Sequence, residues 1–221
     1  MSLIVGHEAN QRKAFDNIVT ALDFDRLLPA RVFLEVWSDF LFFQSDYIFA
    51  PEFVEVMGES LRLENAHVSC LLNLDKTGTF EFGDIAAIFL DERVTGREYR
   101  DELHGRGSAD GWLYLVDRYA RASDVGEWCI YCEKANDVAV IGFRGIGGVE
   151  KFEKPLKRLW ARPIEELVDG GHTPVFPFNN LTPTWRKGLV QHYGAHLSWG
   201  NKGQQRVSVR LKNNAPISAQ Q

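Results

Sequence analysis

The chain has 221 residues, of which 45% are hydrophobic and 25% are charged, and its formal net charge is −5. This composition is typical of a globular domain and excludes a disordered, collagen-like or coiled-coil chain, while the negative charge argues against a nucleic-acid binder. The charge is uneven along the chain. All 30 acidic residues lie at or before Asp169 and six basic residues follow it, so the body carries −11 and the C-terminal segment carries +6.

Residues 1–62 are predicted to form a helical part. A weak apolar stripe near the N-terminus predicts a first helix, and Pro29 and Pro51 are each placed as the first residue of a further helix. The second of these helices rests on apolar residues that recur at helical spacing, namely Val32, Phe33, Val36, Trp37, Phe40 and Leu41.

Residues 66–144 are predicted to form an antiparallel sheet. Five segments have strand character, at 67–75, 79–91, 112–120, 127–133 and 138–143, with a short helix over 97–103. The last two strands are separated by a four-residue polar linker, which predicts a hairpin. Because no long helices separate most of the strands, the pattern favours an α+β fold over a doubly wound one.

Residues 145–221 are predicted to be a loop-rich part that ends in the basic segment. Short helices are expected to begin at Pro163 and at Thr182–Pro183, and the alternating segment 206–212 predicts an edge strand. The sequence therefore predicts a single α+β domain, in which N-terminal helices pack on a mostly antiparallel sheet, with short helices and an edge strand at the C-terminus.

The segment Trp128–Cys132 resembles the WCxxC redox site of thioredoxin-like proteins. That site needs its first cysteine at a helix N-terminus, whereas this segment lies in a predicted strand, where residues three apart point to opposite faces. We therefore expect core cysteines. His192 and His196 are four residues apart, but Gly194 between them favours a helix end over a metal site. We expect no metal and no cofactor.

The loop 73–84 resembles an EF-hand, with Gly78 at the sixth position and Asp84 at the twelfth. Asn73 at the first position and the short Asp84 at the last depart from the calcium-binding pattern. A β-hairpin that turns at residues 76–78 is the favoured interpretation, and a calcium-binding module, with 85–90 as the exit helix, is the alternative.

The stretch 112–137 mixes charged and aromatic side chains and provides the candidate site. If two strands pair here, one sheet face turns from apolar to acidic at Asp117, and Glu133 on the neighbouring strand lies near it. The stretch is either a solvated face with cross-strand ion pairs or a binding surface. The candidate binding residues are Asp117, Arg118, Tyr119, Arg121, Asp124, Trp128, Tyr131 and Glu133.

The sequence carries no decisive catalytic motif. We expect a non-catalytic, cytoplasmic accessory or protein-binding protein, such as a bacterial immunity-type protein that binds a basic partner through its acidic surface. The alternatives are a hydrolase that uses the sheet-face carboxylate of Asp117 or Glu133, and the calcium module. An odd count of three cysteines fits a reducing compartment, and neither a signal peptide nor a membrane span is expected.

Overall fold

A computed structural model describes residues 8–34, 37–75, 81–83, 87–106, 111–145, 147–168 and 181–194. Its centre is an antiparallel sheet of six strands: β1 (Trp37–Gln44), β2 (Ser69–Asn73), β3 (Ala87–Leu90), β4 (Arg118–Ser123), β5 (Trp128–Glu133) and β6 (Val138–Arg144). Their order across the sheet is β1-β6-β5-β4-β2-β3. The predicted α+β class with an antiparallel sheet is confirmed.

Helices cover both faces of the sheet. The hydrophobic cluster on one face includes side chains of α1 (Glu8–Ala21), α6 (Ile164–Val168) and α7 (Pro183–Tyr193). The cluster on the other face includes side chains of α2 (Pro51–Glu64), α3 (Gly96–Asp101), α4 (Trp112–Leu115) and α5 (Gly148–Lys157). The strands are therefore apolar on both faces, so consecutive strand residues are buried and do not alternate with polar residues.

The predicted second helix is wrong, because three of its six apolar residues, Trp37, Phe40 and Leu41, lie in strand β1. Residues 40–43 are all buried, with Phe40 and Phe42 in one cluster and Leu41 and Phe43 in the other. A strand that is covered on both faces has consecutive apolar residues, and such a run also satisfies helical spacing. The helical part predicted for residues 1–62 therefore contains a strand of the sheet.

The predicted strand 112–120 is only partly correct. It begins with the single-turn helix α4, which follows Gly111 at φ +74°, and the strand itself starts at Arg118. The face assignment that alternation gave to residues 112–117 is therefore wrong, and Leu115 at the end of the helix is exposed.

The remaining local predictions that fall on described residues are confirmed in outline. β5 and β6 form a hairpin around residues 134–137, and α7 starts after Thr182, whose side chain accepts a hydrogen bond from the Trp185 N–H at 3.3 Å. The predicted edge strand 206–212 lies outside the described residues. Within the described residues, no helix is both long enough and apolar enough to cross a membrane.

Candidate functional site: an aspartate row at one end of the sheet

The candidate residues on β4 and β5 do not share one exposed surface. Tyr119 and Trp128 belong to the cluster under α2, whereas Tyr131 belongs to the cluster under α1 and α7. Arg121 and Glu133 are also buried. The sequence interpretation of a charged, solvated sheet face is therefore wrong, because helices cover both faces.

Arg121 is part of the core. It is 1% exposed, its Nε and Nη2 donate to Ser69 Oγ at 3.1 and 2.8 Å, and its guanidinium carbon lies 5.2 Å from the centre of the Phe53 ring. Burial lowers the pKa of the guanidinium to about 10. Its Nη1 has no hydrogen-bond partner among the described residues. Arg121 therefore joins β4 to β2 and α2 and is not available to a ligand.

Glu133 is a buried acceptor that holds three groups together. Its Oε1 accepts hydrogen bonds from the Leu28 N–H at 2.7 Å and from the Tyr131 hydroxyl at 2.8 Å, and its Oε2 accepts one from Asn136 Nδ2 at 2.7 Å. Asp117 has a different partner, since its Oδ1 accepts from the Ala135 N–H at 2.6 Å. Each of the two predicted carboxylates is thus committed to its own donors.

Asp124 has a structural role at the opposite end of the sheet. Its Oδ1 accepts hydrogen bonds from the N–H groups of His67 and Val68 at 2.9 and 3.2 Å, and its Oδ2 lies 3.4 Å from His67 Nδ1. These contacts fix the segment that leads into β2 against the turn between β4 and β5.

A second buried carboxyl group, that of Glu64, lies near Trp128 at this same end. Burial raises the pKa of Glu64 to about 7, and nearby donors at Ser123, Glu127 and Trp128 offset that effect only in part. These donors lie near the carboxyl group without reaching hydrogen-bonding geometry, since neither Glu64 oxygen nor Trp128 Nε1 has a hydrogen-bond partner among the described residues. Glu64 is therefore neutral over much of the acidic pH range.

The cysteines of the WCxxC-like segment point to opposite faces, as predicted. Cys129 belongs to the cluster under α1 and Cys132 to the cluster under α2, and both are fully buried. Burial raises the pKa of both thiols, which keeps them protonated and unreactive at neutral pH.

Charged side chains meet instead where five strands end together. In the antiparallel ladder the ends of β1, β5 and β2 lie beside the starts of β6 and β4, as shown by the pairs Gln44–Val138, Glu133–Val138, Arg118–Glu133 and Asn73–Tyr119. Four aspartates lie within two residues of these termini. In strand order they are Asp46, Asp137, Asp117 and Asp75, which we call the aspartate row.

Backbone contacts fix the row. Asp75 accepts hydrogen bonds from the N–H groups of Asp117 and Arg118, and its Oδ1 also lies 3.3 Å from Arg118 Nε. At the other end of the row, the Ser45 N–H donates to the Asp137 carbonyl oxygen at 3.2 Å, which places Asp46 beside Asp137. The row therefore has a defined geometry and is not a set of independent loops.

The row is electrostatically unbalanced. Arg118 pairs with Asp75, and Lys134 lies with its Nζ 5.7 Å from the centre of the Phe49 ring. Partial burial and the Asp46 carboxylate raise the pKa of Asp137. In the part of the chain that is described, neither Asp46 nor Asp137 has a side-chain hydrogen bond or ion pair. Within the described part of the chain, these two carboxylates therefore repel each other.

The calcium interpretation of loop 73–84 loses its exit helix, because Ala87–Leu90 form strand β3. Half of its ligand positions, residues 77, 79 and 84, lie outside the described residues. Across the described ranges, no three His, Cys, Asp or Glu side chains are grouped so as to hold a metal ion.

Comparison of the chain with protein-family models, with curated proteins and with solved structures finds no match. The candidate site therefore stands on its own geometry. Sequence reasoning identified Asp117 and Arg118 as site residues but missed Asp46, Asp75 and Asp137. Each of them lies within two residues of a strand end, but this position predicts that they are neighbours only when the strand order is known.

Proposed function

We propose that the chain is a non-catalytic binding protein that takes a basic protein partner at its aspartate row. The observation that carries this proposal is the line of four aspartates across five adjoining strand termini, beside which the described residues place the cations Arg118 and Lys134. A partner's lysine or arginine placed at Asp46 and Asp137 relieves the repulsion between them. In the form we propose, the chain acts as a cytoplasmic accessory or immunity-type protein.

Two observations favour binding over hydrolysis. Asp117 accepts a hydrogen bond from the Ala135 N–H, and Glu133 accepts from two buried donors and from the partly buried Asn136, so both carboxylates already serve the fold. A hydrolytic pair needs two carboxyl groups that converge on a substrate and exchange protons with it. The exposed Asp46, by contrast, is placed for contact with another molecule.

The expected interaction is fast and dependent on salt. An exposed charge pair contributes about 0.2–1 kcal/mol, so the row alone gives modest affinity. Its field extends over about one Debye length, which is roughly 10 Å at 0.1 M salt, and it raises the association rate of a basic partner. Contacts beyond the charges must supply the remaining affinity.

The test uses a fluorescent octapeptide, Lys-Lys-Ser-Lys-Lys-Ser-Lys-Lys, and measures its binding by fluorescence anisotropy in low and in physiological salt. The double variant Asp46→Asn/Asp137→Asn removes two charges without changing side-chain size. We expect it to weaken binding about three- to tenfold at low salt, with a smaller effect at higher salt.

The matched control is Asp16→Asn/Glu92→Gln, which removes two exposed charges near the opposite end of the sheet. Glu92 follows β3 there, and Asp16 precedes Asn17, which donates to the Ser123 carbonyl oxygen at 2.9 Å. An equal loss of peptide affinity in the two double variants, or no binding of the peptide by the wild type, would overturn the proposal.

A further inference from the structure

Leu115 is an exposed apolar side chain beside the aspartate row. At 81% it is the most exposed of the large apolar residues that the structure describes. It ends α4 and lies two residues before Asp117, whose backbone N–H donates to Asp75. The most exposed leucine of the described chain therefore lies two residues from an aspartate of the row.

The position of Leu115 is fixed by the elements that surround it. The Leu115 N–H donates to the Gly111 carbonyl oxygen at 2.9 Å, and the Val116 N–H donates to the Trp112 carbonyl oxygen at 3.2 Å. The Tyr119 hydroxyl donates to the same Trp112 oxygen, which ties α4 to β4. Trp112 itself is buried, so the helix is anchored on one side and presents Leu115 on the other.

Gly111 completes this arrangement. Its φ of +74° favours glycine, and a Cβ there would lie 3.0 Å from Leu115 Cδ1. The leucine side chain therefore packs over the glycine and leaves most of its surface to solvent.

A second apolar surface lies nearby. The half-buried Phe49 ring contacts Tyr119 edge to face, with 5.1 Å between ring centres, and Trp112 contacts Tyr119 from another side at 6.1 Å. Phe49 follows Asp46 by three residues, and Leu115 precedes Asp117 by two. Phe49 and Leu115 therefore each lie within three residues of an aspartate of the row.

We propose that Leu115 is the apolar contact of this surface, and that its occupant is a partner segment with an apolar side chain flanked by lysine or arginine. This inference rests on the proposed function and specifies the partner's chemistry. The flanking cations meet Asp137 and Asp46, while the partner's apolar side chain covers Leu115, so that both apolar side chains leave water. An apolar centre with a charged rim is the arrangement in which a few residues supply most of the binding energy.

The experiment compares two labelled octapeptides of equal charge, Lys-Lys-Leu-Lys-Lys-Leu-Lys-Lys and its serine counterpart. We expect the wild type to bind the leucine peptide about tenfold more tightly, since that preference corresponds to partial burial of a leucine side chain. Leu115→Gln should abolish the preference while leaving the affinity for the serine peptide unchanged. That unchanged affinity also reports an intact aspartate row.

The control is Leu63→Gln, which alters another exposed leucine, near the C-terminal end of α2. It should keep the preference, as should the conservative Leu115→Met. Equal binding of the two peptides to the wild type, or a preference that survives in Leu115→Gln, overturns this inference alone. Failure of the serine peptide to bind the wild type overturns the proposed function.

Discussion

Tyr131 and Glu133 lie two residues apart on β5 and point to the same face, where the Tyr131 hydroxyl donates to Glu133 Oε1 at 2.8 Å. The same oxygen accepts a hydrogen bond from the Leu28 N–H at 2.7 Å. One buried carboxylate thus joins the central sheet to the loop that precedes β1. The loss of folding stability when the Glu133 carboxylate is removed measures how much this connection contributes.

Glu133→Ala should lower the free energy of unfolding by about 3 kcal/mol, because it leaves the buried donors of Leu28 and Tyr131 without an acceptor. Urea denaturation measures this change. The control is Glu127→Ala, which removes a carboxylate that pairs with Lys151 at the surface. The control should cost less than about 1 kcal/mol. Similar losses in both variants would contradict the structural role of Glu133.

Glu64 should make the protein less stable as the pH rises. Its pKa is raised from 4.5 to about 7, so the folded chain holds a proton that the unfolded chain releases. The stabilisation is complete below the unfolded value of 4.5, falls between 4.5 and 7, and is lost above that window. The shift corresponds to about 3 kcal/mol.

The measurement is the free energy of unfolding at several pH values for the wild type and for Glu64→Gln. The glutamine remains neutral, so the advantage of the wild type over the variant should shrink as the pH rises. Subtracting the two curves removes the contribution of other groups, including the neighbouring Glu127 carboxylate. Glu52→Gln, on the exposed side of the same helix, should follow the wild-type curve. A pH-independent difference for Glu64→Gln would refute the assignment.

Trp160 should be replaceable by glycine with a gain in stability. It follows α5 with a φ of +56° and is 47% exposed, and the next residue, Ala161, donates its N–H to the Leu156 carbonyl oxygen at 3.3 Å. Glycine is favoured at this position after a helix, so Trp160→Gly should stabilise the fold by about 0.5–1 kcal/mol.

Thermal unfolding gives the comparison. Asn65→Gly is the control, because Asn65 ends α2 at a φ of +57° and asparagine tolerates this conformation better than tryptophan does. The gain in stability of Asn65→Gly should therefore be smaller than that of Trp160→Gly. A marked drop in the unfolding temperature of Trp160→Gly would mean that packing of the buried half of the indole stabilises the fold by more than the backbone strain destabilises it.

Much of the fold was accessible from the sequence where patterns are local. The hairpin of β5 and β6 and the helix that follows Thr182 depend on neighbouring residues, and both were predicted correctly. Strand β1 was not, because Phe40 to Phe43 are buried on both faces and their spacing suits a helix equally well. Helix α4 was missed because the apolar residues of 112–116 suit a strand equally well, and a single helical turn is too short to show a helical period.

The candidate site was harder to predict than the fold. The sequence identified Asp117, but not its place in the sheet. Arg118 and Glu133 form the first pair of β4 and β5, so Asp117 lies just outside the ladder, at the end of the sheet. Asp46, Asp75 and Asp137 are separated by dozens of residues. They become neighbours only through the order β1-β6-β5-β4-β2, in which β1 pairs with β6, a strand far from it in the sequence.

Because the aspartate row is assembled from four separate stretches of the chain, it exists only while the sheet is intact. No single excised strand end carries more than one of its four carboxylates. Any ligand that recognises the whole row must therefore bind the folded state alone, and at one hundred times its dissociation constant it raises the unfolding free energy by about 2.7 kcal/mol. A thermal-shift screen of cationic peptides thus serves as an unbiased search for what this chain recognises.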